Sequence, residues 1–236
     1  MIEMKHYKDQ KTLYYHCKSL EKSLIKEKRF IKEIADRCRE AYKNNVLDAK
    51  VLSDFLIDAT ATKGKQKTPE HSGCDGFKNT PRSGGEKQIC HCMFYFNSDF
   101  PKKCKESCDF VPWKKVGEIT VDEFEYPSKY KIPGIGGIDL VLKYKNEIYG
   151  AEVKPPDSGE TVSRMIAEIL TYYVVDKNID FKPAIAVFRG SYQYNIIVKL
   201  EKDEDWLEIR EHIMVFVIDY KEKKDVKEFS IVPFER

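Results

Sequence analysis

Hydrophobic residues recur along this chain in patterns that divide it into regions of different structure. Between Ser19 and Tyr42 they recur mostly every three or four residues, with Lys, Glu and Arg between them, which predicts an amphipathic helix. A similar pattern from Asn45 to Asp58 predicts a second, shorter helix. From residue 59 to residue 112 the periodicity is lost and Gly, Pro, Ser, Thr, Lys and Cys dominate, which indicates either a loop-rich, metal-stapled insert or a flexible segment.

The region from residue 113 to residue 236 alternates short strand-like runs with helical segments. The predicted strands are Val116–Tyr126, Ile138–Tyr144, Glu147–Lys154, Pro183–Phe188 and Ile213–Asp219, and the predicted helices are Glu160–Asp176 and Asp203–Glu211. Three strands, a helix and further strands predict a mixed α/β core. We therefore expect three regions, namely N-terminal helices (1–58), a cysteine-rich module (59–112) and an α/β core (113–236).

Composition narrows the class of protein without deciding its function. A chain of 236 residues that is 42% hydrophobic can bury a sizeable core. We expect a cytoplasmic protein with no membrane association, because the sequence contains neither a long apolar run nor a signal-peptide pattern at its start. The 41 basic and 39 acidic side chains give a net charge of +2, which neither favours nor excludes a nucleic-acid partner.

Two carboxylates and a lysine are predicted to share one face of two neighbouring strands. Side chains alternate along a strand, so Asp139, Glu152 and Lys154 lie opposite the apolar set of their strands. A two-residue turn at Lys145-Asn146 would place Asp139 opposite Glu152, whereas a turn one residue later would place it opposite Lys154. Either register brings the three side chains together.

Such a pair of carboxylates is destabilising unless a cation neutralises it, and carboxylate oxygens suit Mg²⁺. Lys154 could then orient or activate a water, or stabilise charge that develops on phosphorus. The alternative is a surface hairpin on which Lys154 screens two ordinary acids. Gly134-Ile-Gly-Gly, just before Asp139, favours the functional interpretation because glycine allows a close approach of the backbone.

The order Gly136-Gly-Ile-Asp139, Glu152-Val-Lys154 and then an amphipathic helix resembles the PD-(D/E)XK nuclease superfamily, over about residues 115–220. The resemblance implies a restriction-endonuclease-like αβββαβ core with a mixed central sheet. It implies that Asp139 and Glu152 bind Mg²⁺ or Mn²⁺, with the backbone carbonyl of Val153 as a third ligand. It further implies that Lys154 assists the attacking water in the hydrolysis of DNA.

The helix after this pattern carries Arg164, Glu168 and Tyr172 at four-residue steps, so they share a face. Glu168-x₃-Tyr172 resembles the Gln-x₃-Tyr motif of the RecB-like branch, with Glu in place of Gln, which implies that both residues lie near the metal. Arg164 could contact phosphate. The alternative is a solvated Arg–Glu pair beside a partly buried tyrosine. We expect residues 157–160 to cap this helix.

Members of this superfamily also use an acidic residue from a helix that precedes the sheet. Glu33 and Glu40 are the candidates, and a solvated helix face is the alternative for both. The expected activity is that of a Mg²⁺-dependent DNA nuclease, and a restriction or defence endonuclease is the setting that the resemblance favours. The rival is a non-catalytic, zinc-stapled DNA-binding or assembly protein on the same fold. Preference for DNA over RNA, endonuclease or exonuclease action, and homodimer formation are left open.

Cysteine spacing predicts a structural metal site in the middle region. Two thiol pairs suit tetrahedral zinc, namely Cys90, Cys92, Cys104 and Cys108. His71 and Cys74 could replace one pair, and free or oxidised thiols or an iron–sulfur cluster are the alternatives. Lysines and aromatic residues around these cysteines would suit contact with DNA, although a solvated surface fits equally well. Cys17 and Cys38 are expected to be packing residues.

Overall fold

A computed structural model of the chain describes residues 23–43, 46–47, 62–63, 85–96, 111–126, 130–131, 137–175, 181–223 and 226–235. In this part of the chain, the helices are α1 (Leu24–Ala41), α2 (Glu86–Tyr95), α3 (Val162–Val175), α4 (Tyr192–Leu200) and α5 (Glu204–Arg210). The short strands are β1 (Tyr42–Lys43), β2 (Val46–Leu47), β3 (Thr62–Lys63), β4 (Trp113–Lys115) and β6 (Tyr130–Lys131). The longer strands are β5 (Thr120–Tyr126), β7 (Ile138–Tyr144), β8 (Glu147–Val153), β9 (Lys182–Phe188), β10 (Met214–Lys223) and β11 (Val226–Pro233).

Seven of these strands form one mixed sheet in the order β4-β11-β10-β9-β8-β7-β5. The hairpins β7–β8 and β10–β11 are antiparallel, as is the pairing of β5 with β7. The central strands β8, β9 and β10 run parallel to one another. The mixed α/β class expected from the sequence is therefore confirmed.

Both faces of this sheet are buried, each under a different set of helices. One apolar cluster combines α1, α3, α4 and α5 with one face of the sheet and includes Ile34, Ile166 and Trp206. The other cluster packs α2 against the opposite face through Ile89, Met93 and neighbouring side chains. Because both faces are covered, a polar side chain on either face of the central strands is withdrawn from solvent.

Most of the elements that hydrophobic periodicity predicts are present. The strands β5, β7, β8, β9 and β10 and the helices α1, α3 and α5 all overlap the predicted segments. The helix predicted from Asn45 is wrong at its beginning, because Val46–Leu47 pairs with Tyr42–Lys43 as an antiparallel strand; its later residues lie outside the described ones. Residues 192–200 and 226–233, for which the periodicity made no specific prediction, form α4 and β11.

The largest difference concerns α2, which lies in the segment predicted to lack regular structure. Its residues Cys90 and Cys92 are buried in the apolar cluster beneath the sheet. Because cysteines occupy two of its core positions, the sequence did not reveal the hydrophobic periodicity of this short helix. As a consequence, the helix α2 of the cysteine-rich region belongs to the same core as the sheet.

The start of α3 is held by another helix. Glu27 of α1 is fully buried and accepts hydrogen bonds from the backbone N–H groups of Val162, at 2.8 Å, and Ser163, at 3.0 Å. Thr161 accepts a further bond from the N–H of Arg164 at 3.2 Å. The cap predicted within residues 157–160 is therefore wrong: a remote carboxylate and Thr161 satisfy these N–H groups.

Among the described residues, no helix combines the length and the apolar character that a membrane span requires.

Candidate active site

The β7–β8 hairpin has the first of the two registers predicted for it, with its turn at Lys145-Asn146. Lys145 and Asn146 form a two-residue turn with φ values of 47° and 63°, and Tyr144 pairs with Glu147. Both positive φ values are those of a type I′ turn, which matches the twist of a hairpin. The register continues to the pair Leu140↔Ala151, so the next step places Asp139 opposite Glu152, as the first alternative predicted.

The strands at this end of the hairpin lie in close contact. A Cβ atom added to Gly137 would lie 2.7 Å from the carbonyl oxygen of Tyr126. Glycine is therefore required two residues before Asp139, where β7 passes β5. This confirms the close backbone approach expected from the glycine-rich segment for Gly137; Gly134 and Gly136 lie outside the described residues.

The open end of the β7–β8 hairpin, opposite its turn, brings together Asp139, Glu152 and Lys154. Asp139 Oδ2 accepts a hydrogen bond of 2.7 Å from the backbone N–H of Val153. The Lys154 ammonium forms an ion pair with Glu152, and the side chains of these two residues are only 3% and 1% exposed. The surface-hairpin alternative is therefore wrong for this end of the hairpin, since ordinary surface charges would be solvated.

A third carboxylate, which the sequence analysis missed, comes from the first turn of α2. Glu86 Oε2 lies 2.7 Å from Lys154 Nζ. Each of Glu86, Asp139 and Glu152 offers a carboxylate oxygen, and these three atoms lie within 4.8 Å of one another. Glu86 therefore lies where an acidic residue from a helix that precedes the sheet was expected.

Of the two residues predicted for that role, only Glu33 has a described side chain. Glu33 is on the partly exposed side of α1, where Arg29 is 3.9 Å away. The side chain of Glu40 lies outside the described ones. The only sequence signal for Glu86 is its place just after Gly84-Gly85, at the start of an unrecognised helix. No spacing rule connects this position to Asp139.

The donor set fits a hard divalent cation. Carboxylate oxygens are the ligands that Mg²⁺ and Mn²⁺ prefer, and two ligands of one Mg²⁺ lie at most about 4.2 Å apart. Small shifts of the carboxyl groups would therefore bring all three oxygens onto one ion. Glu152 Oε2 is moreover buried without a hydrogen-bond partner, which leaves a coordinating atom free. Coordination by the Val153 carbonyl stays a prediction.

Two further acids and a second cation surround this centre. Lys154 Nζ lies 3.5 Å from Glu160 Oε2 and 4.0 Å from Glu168 Oε2. Arg164 pairs with Glu160 at 2.7 Å. With Glu86, Asp139 and Glu152, five carboxyl groups thus share two cationic side chains. When all are ionised, the site has an excess of negative charge.

The crowding changes the acidity of several groups. Burial, reinforced by the charge of Glu152, raises the pKa of Asp139 well above its usual range; the residue is partly exposed, but its carboxyl group is enclosed. The same two causes raise the pKa of Glu168 to about 9. Burial acts to lower the pKa of Lys154, but the surrounding carboxylates outweigh it and raise this pKa well above its usual value. Lys154 is consequently held as an ammonium.

The face of α3 predicted to look onto the site does so. Glu168 is 7% exposed and Tyr172 is fully buried, so the solvated alternative is wrong for both. Arg164 is mostly buried, with 13% of its side chain exposed, and pairs with Glu160. Tyr172 Oη is buried without a hydrogen-bond partner. Burial and the charge of Glu168 raise the pKa of Tyr172 well above 10.

The cysteines predicted to bind zinc are only partly described. Cys90 and Cys92 are two residues apart on α2, a spacing at which helical side chains point in different directions. Both are buried among apolar side chains, which weighs against their joining in one tetrahedral site. Cys104, Cys108, His71 and Cys74 lie outside the described residues, so the zinc site stays a prediction. Cys38 is fully buried, as a packing residue should be.

A comparison of this chain with models of protein families, with curated proteins and with solved structures finds no match.

Proposed function

We propose that this protein is a Mg²⁺- or Mn²⁺-dependent nuclease that hydrolyses phosphodiester bonds of DNA. The observation that carries this proposal is the meeting of three carboxylates, Glu86, Asp139 and Glu152, around the buried ammonium of Lys154. Buried like charges destabilise a fold, so an arrangement of this kind is typical of a site that serves chemistry.

The surrounding topology supports the same proposal. The strands β5, β7, β8 and β9 are neighbours in this order, with two antiparallel pairings followed by a parallel one. The helix α2 precedes them in the chain, and α3 connects β8 to β9. This is the αβββαβ order that the resemblance to PD-(D/E)XK nucleases implies. The restriction-endonuclease-like core is thus part of the proposal.

The chemistry divides between the ion and the chain's own residues. A bound Mg²⁺ supplies Lewis acidity at the scissile phosphate and lowers the pKa of water. Glu86, Asp139 and Glu152 would hold it, and the hydrogen bond from the Val153 N–H fixes the orientation of Asp139. Lys154, held protonated by its neighbours, places a positive charge where negative charge develops on the phosphoryl group. Glu168 lies close enough to keep Lys154 in position.

The rival is a protein that binds DNA without cutting it. The Lys154 ammonium pairs with two of the three proposed ligands, Glu86 and Glu152, and would serve as an internal counter-ion in such a protein. A structural role of this kind leaves the other carboxyl groups unexplained, because one carboxylate suffices to neutralise one lysine. We therefore favour catalysis.

Replacing Lys154 with Ala should lower cleavage of DNA by about 10²–10³-fold, since one preorganised charge at a transition state is worth that much. The assay would incubate wild type and variant with circular and linear DNA in Mg²⁺ or Mn²⁺, beside an EDTA control. Lys182→Ala is the matched control, because Lys182 is 60% exposed and pairs with Glu147 on the surface. Equal cutting by wild type and Lys154→Ala, or cutting that EDTA does not prevent, would contradict the proposal.

Replacing Glu86 with Gln should weaken Mg²⁺ binding by about 10–100-fold while leaving the protein folded. The amide keeps the shape of the side chain but removes the charge that attracts the ion. Titration calorimetry with Mg²⁺ or Mn²⁺ measures this effect without reference to activity. Glu118→Gln, on the exposed segment before β5, is the control and should bind as wild type does. Unchanged affinity in Glu86→Gln would remove Glu86 from the site.

A further inference from the structure

The candidate site combines five carboxyl groups with only two cationic side chains, yet the proposed substrate is a polyanion. Its two cationic side chains are both engaged, Lys154 with Glu86 and Glu152, and Arg164 with Glu160. A nucleic acid that places one phosphate at this site needs positive charge elsewhere on the surface to hold its flanking backbone.

The strand β10 continues well past the point where the sheet is covered by helices. Its residue Phe216 lies in the same row as Ala186 of β9 and Val153 of β8. Beyond Ile218, the segment from Tyr220 to Lys223 is exposed and pairs with the beginning of β11. Since β8, β9 and β10 are parallel, this projection extends from the edge of the sheet at which β8 ends. Ligands of such sheets bind outside the carboxyl ends of the strands.

Three lysines form a cluster on this projection, which we call the basic arm (Lys114, Lys221 and Lys223). In the register of the sheet, Glu228 of β11 lies opposite Lys221 of β10 on one side and opposite Lys114 of β4 on the other. Lys223 Nζ also lies 2.8 Å from Glu228 Oε2. The hydrogen bond from Lys223 and the charges of the other two lysines lower the pKa of Glu228. The carboxylate of Glu228 thus reduces the electrostatic repulsion among the three ammonium groups.

The basic arm lies on the same face of the sheet as the candidate site. Directly opposed residues share a face, and alternate residues along a strand share it too. The row Glu152–Ile185–Val215 therefore continues, in steps of two along β10, to Lys221 and Lys223. The opposite edge of the sheet has the other sign of charge, because β5 carries Asp122, Glu123 and Glu125. Charge along the sheet therefore changes from acidic at β5 to basic at β4 and the arm.

From these positions we infer that the basic arm binds the phosphate backbone of the nucleic acid on one side of the cleaved bond. The inference rests on the proposed function and specifies where the substrate lies. Across the sheet, Lys221 lies two strands from Val153, which corresponds to about 10 Å. Along β10 it lies five residues beyond the row of Val153, which corresponds to about 16 Å. The resulting span of about 19 Å equals about six base pairs of a duplex at 3.4 Å each.

The test compares two triple variants that remove equal charge from opposite ends of the sheet. The first is Lys114→Gln, Lys221→Gln and Lys223→Gln. The second, a matched control, is Lys143→Gln, Lys145→Gln and Lys182→Gln, which lie at the far end of the sheet on exposed positions. Binding to a labelled duplex of about 20 base pairs is measured in EDTA by fluorescence anisotropy across a series of salt concentrations.

We expect the arm variant to bind the long duplex about 10–100-fold more weakly at low salt, and the control to bind as wild type does. The slope of log K against log salt concentration should fall by about 2.7 in the arm variant, since each phosphate contact contributes about 0.9. A duplex with fewer than about six base pairs on each side of the cleaved bond should not distinguish the arm variant from wild type. Mg²⁺ binding to the arm variant should remain unchanged.

The outcomes separate this inference from the proposed function. Equal binding by wild type and the arm variant, or equal losses in both triple variants, overturns the inference even when wild type cleaves DNA. Competition by polyglutamate as effective as that by DNA would indicate an acidic protein partner and overturn it as well. If wild type neither binds nor cleaves nucleic acid in Mg²⁺ or Mn²⁺, the proposed function fails, and the inference fails with it.

Discussion

Replacing Asp139 with Asn is expected to abolish Mg²⁺-dependent cleavage, with a loss on the order of 10³-fold or more. The amide can still accept the hydrogen bond from the Val153 N–H, so the local geometry should survive. What it cannot do is supply the negative charge that a divalent ion requires. The measurement is the initial rate of cleavage, together with the increase in Tm on addition of Mg²⁺. Wild type should show this increase, and Asp139→Asn should not.

The same variant should make the metal-free protein more stable. The pKa of Asp139 is raised in the folded state because of burial and the charge of Glu152, so folding holds a proton that the unfolded chain has lost. Stability of the metal-free wild type therefore falls as pH rises above the ordinary value of 3.8. Asp139→Asn removes this loss and should make the metal-free protein more stable than wild type at pH 8, with a smaller difference at pH 5. Thermal melts in EDTA at pH 5 and pH 8 measure the difference.

These two results together distinguish a catalytic carboxylate from a structural one. A structural Asp139 would make the Asn variant less stable in EDTA. Asp122→Asn is the matched control, because Asp122 is an exposed aspartate on the neighbouring strand β5. It should change neither the rate nor the Tm. A variant at Asp139 that kept its response to Mg²⁺ would show that the ion binds elsewhere.

Replacing Glu27 with Ala is expected to lower the free energy of unfolding by about 3 kcal/mol. The fully buried carboxylate accepts hydrogen bonds from the N–H groups of Val162 and Ser163 and from the Ser163 hydroxyl. Alanine would leave these donors buried and unsatisfied and would remove a negative charge from the positive end of the α3 dipole. Urea denaturation followed by circular dichroism measures the change.

Glu33→Ala is the control for this prediction, because Glu33 lies on the partly exposed side of the same helix, 3.9 Å from Arg29. It should change stability by no more than about 0.5 kcal/mol. Cleavage by Glu27→Ala should also fall, since α3 carries Glu168 and Tyr172 into the site. A Glu27→Ala protein as stable as Glu33→Ala would show that Thr161 alone caps α3.

Stability and function make opposing demands at this site. The apolar clusters on both faces of the sheet bury side chains in full, whereas the end of the β7–β8 hairpin gathers five carboxyl groups around two cations. The surrounding strands and helices bury apolar side chains in a regular pattern, whereas Glu152, Lys154 and Glu168 are charged side chains at buried positions. Such conflicts are expected where a fold serves chemistry.

Strand alternation and turn chemistry by themselves determined the centre of the candidate site. The period of two placed Asp139, Glu152 and Lys154 on one face. A two-residue turn left two registers, of which the structure has the one that sets Asp139 opposite Glu152. These are local rules, which depend on residues close together in the sequence. The same kind of rule identified the helix α3 and its face with Glu168 and Tyr172.

Only the tertiary structure decided what surrounds that centre. Glu86 and Glu27 reach the site and the start of α3 from helices that lie 53 and 135 residues away from Asp139 and Val162 in the sequence. No periodicity connects residues at such separations, because their contact depends on how helices pack against the sheet. The burial of Glu152 and Lys154 could not be predicted from the sequence either. A charged hairpin is typical of a protein surface, and only the packing of helices on both faces of the sheet encloses this one. Asp139, Glu152 and Lys154 were therefore predictable as a trio, and their enclosure by Glu86 and Glu160 was not.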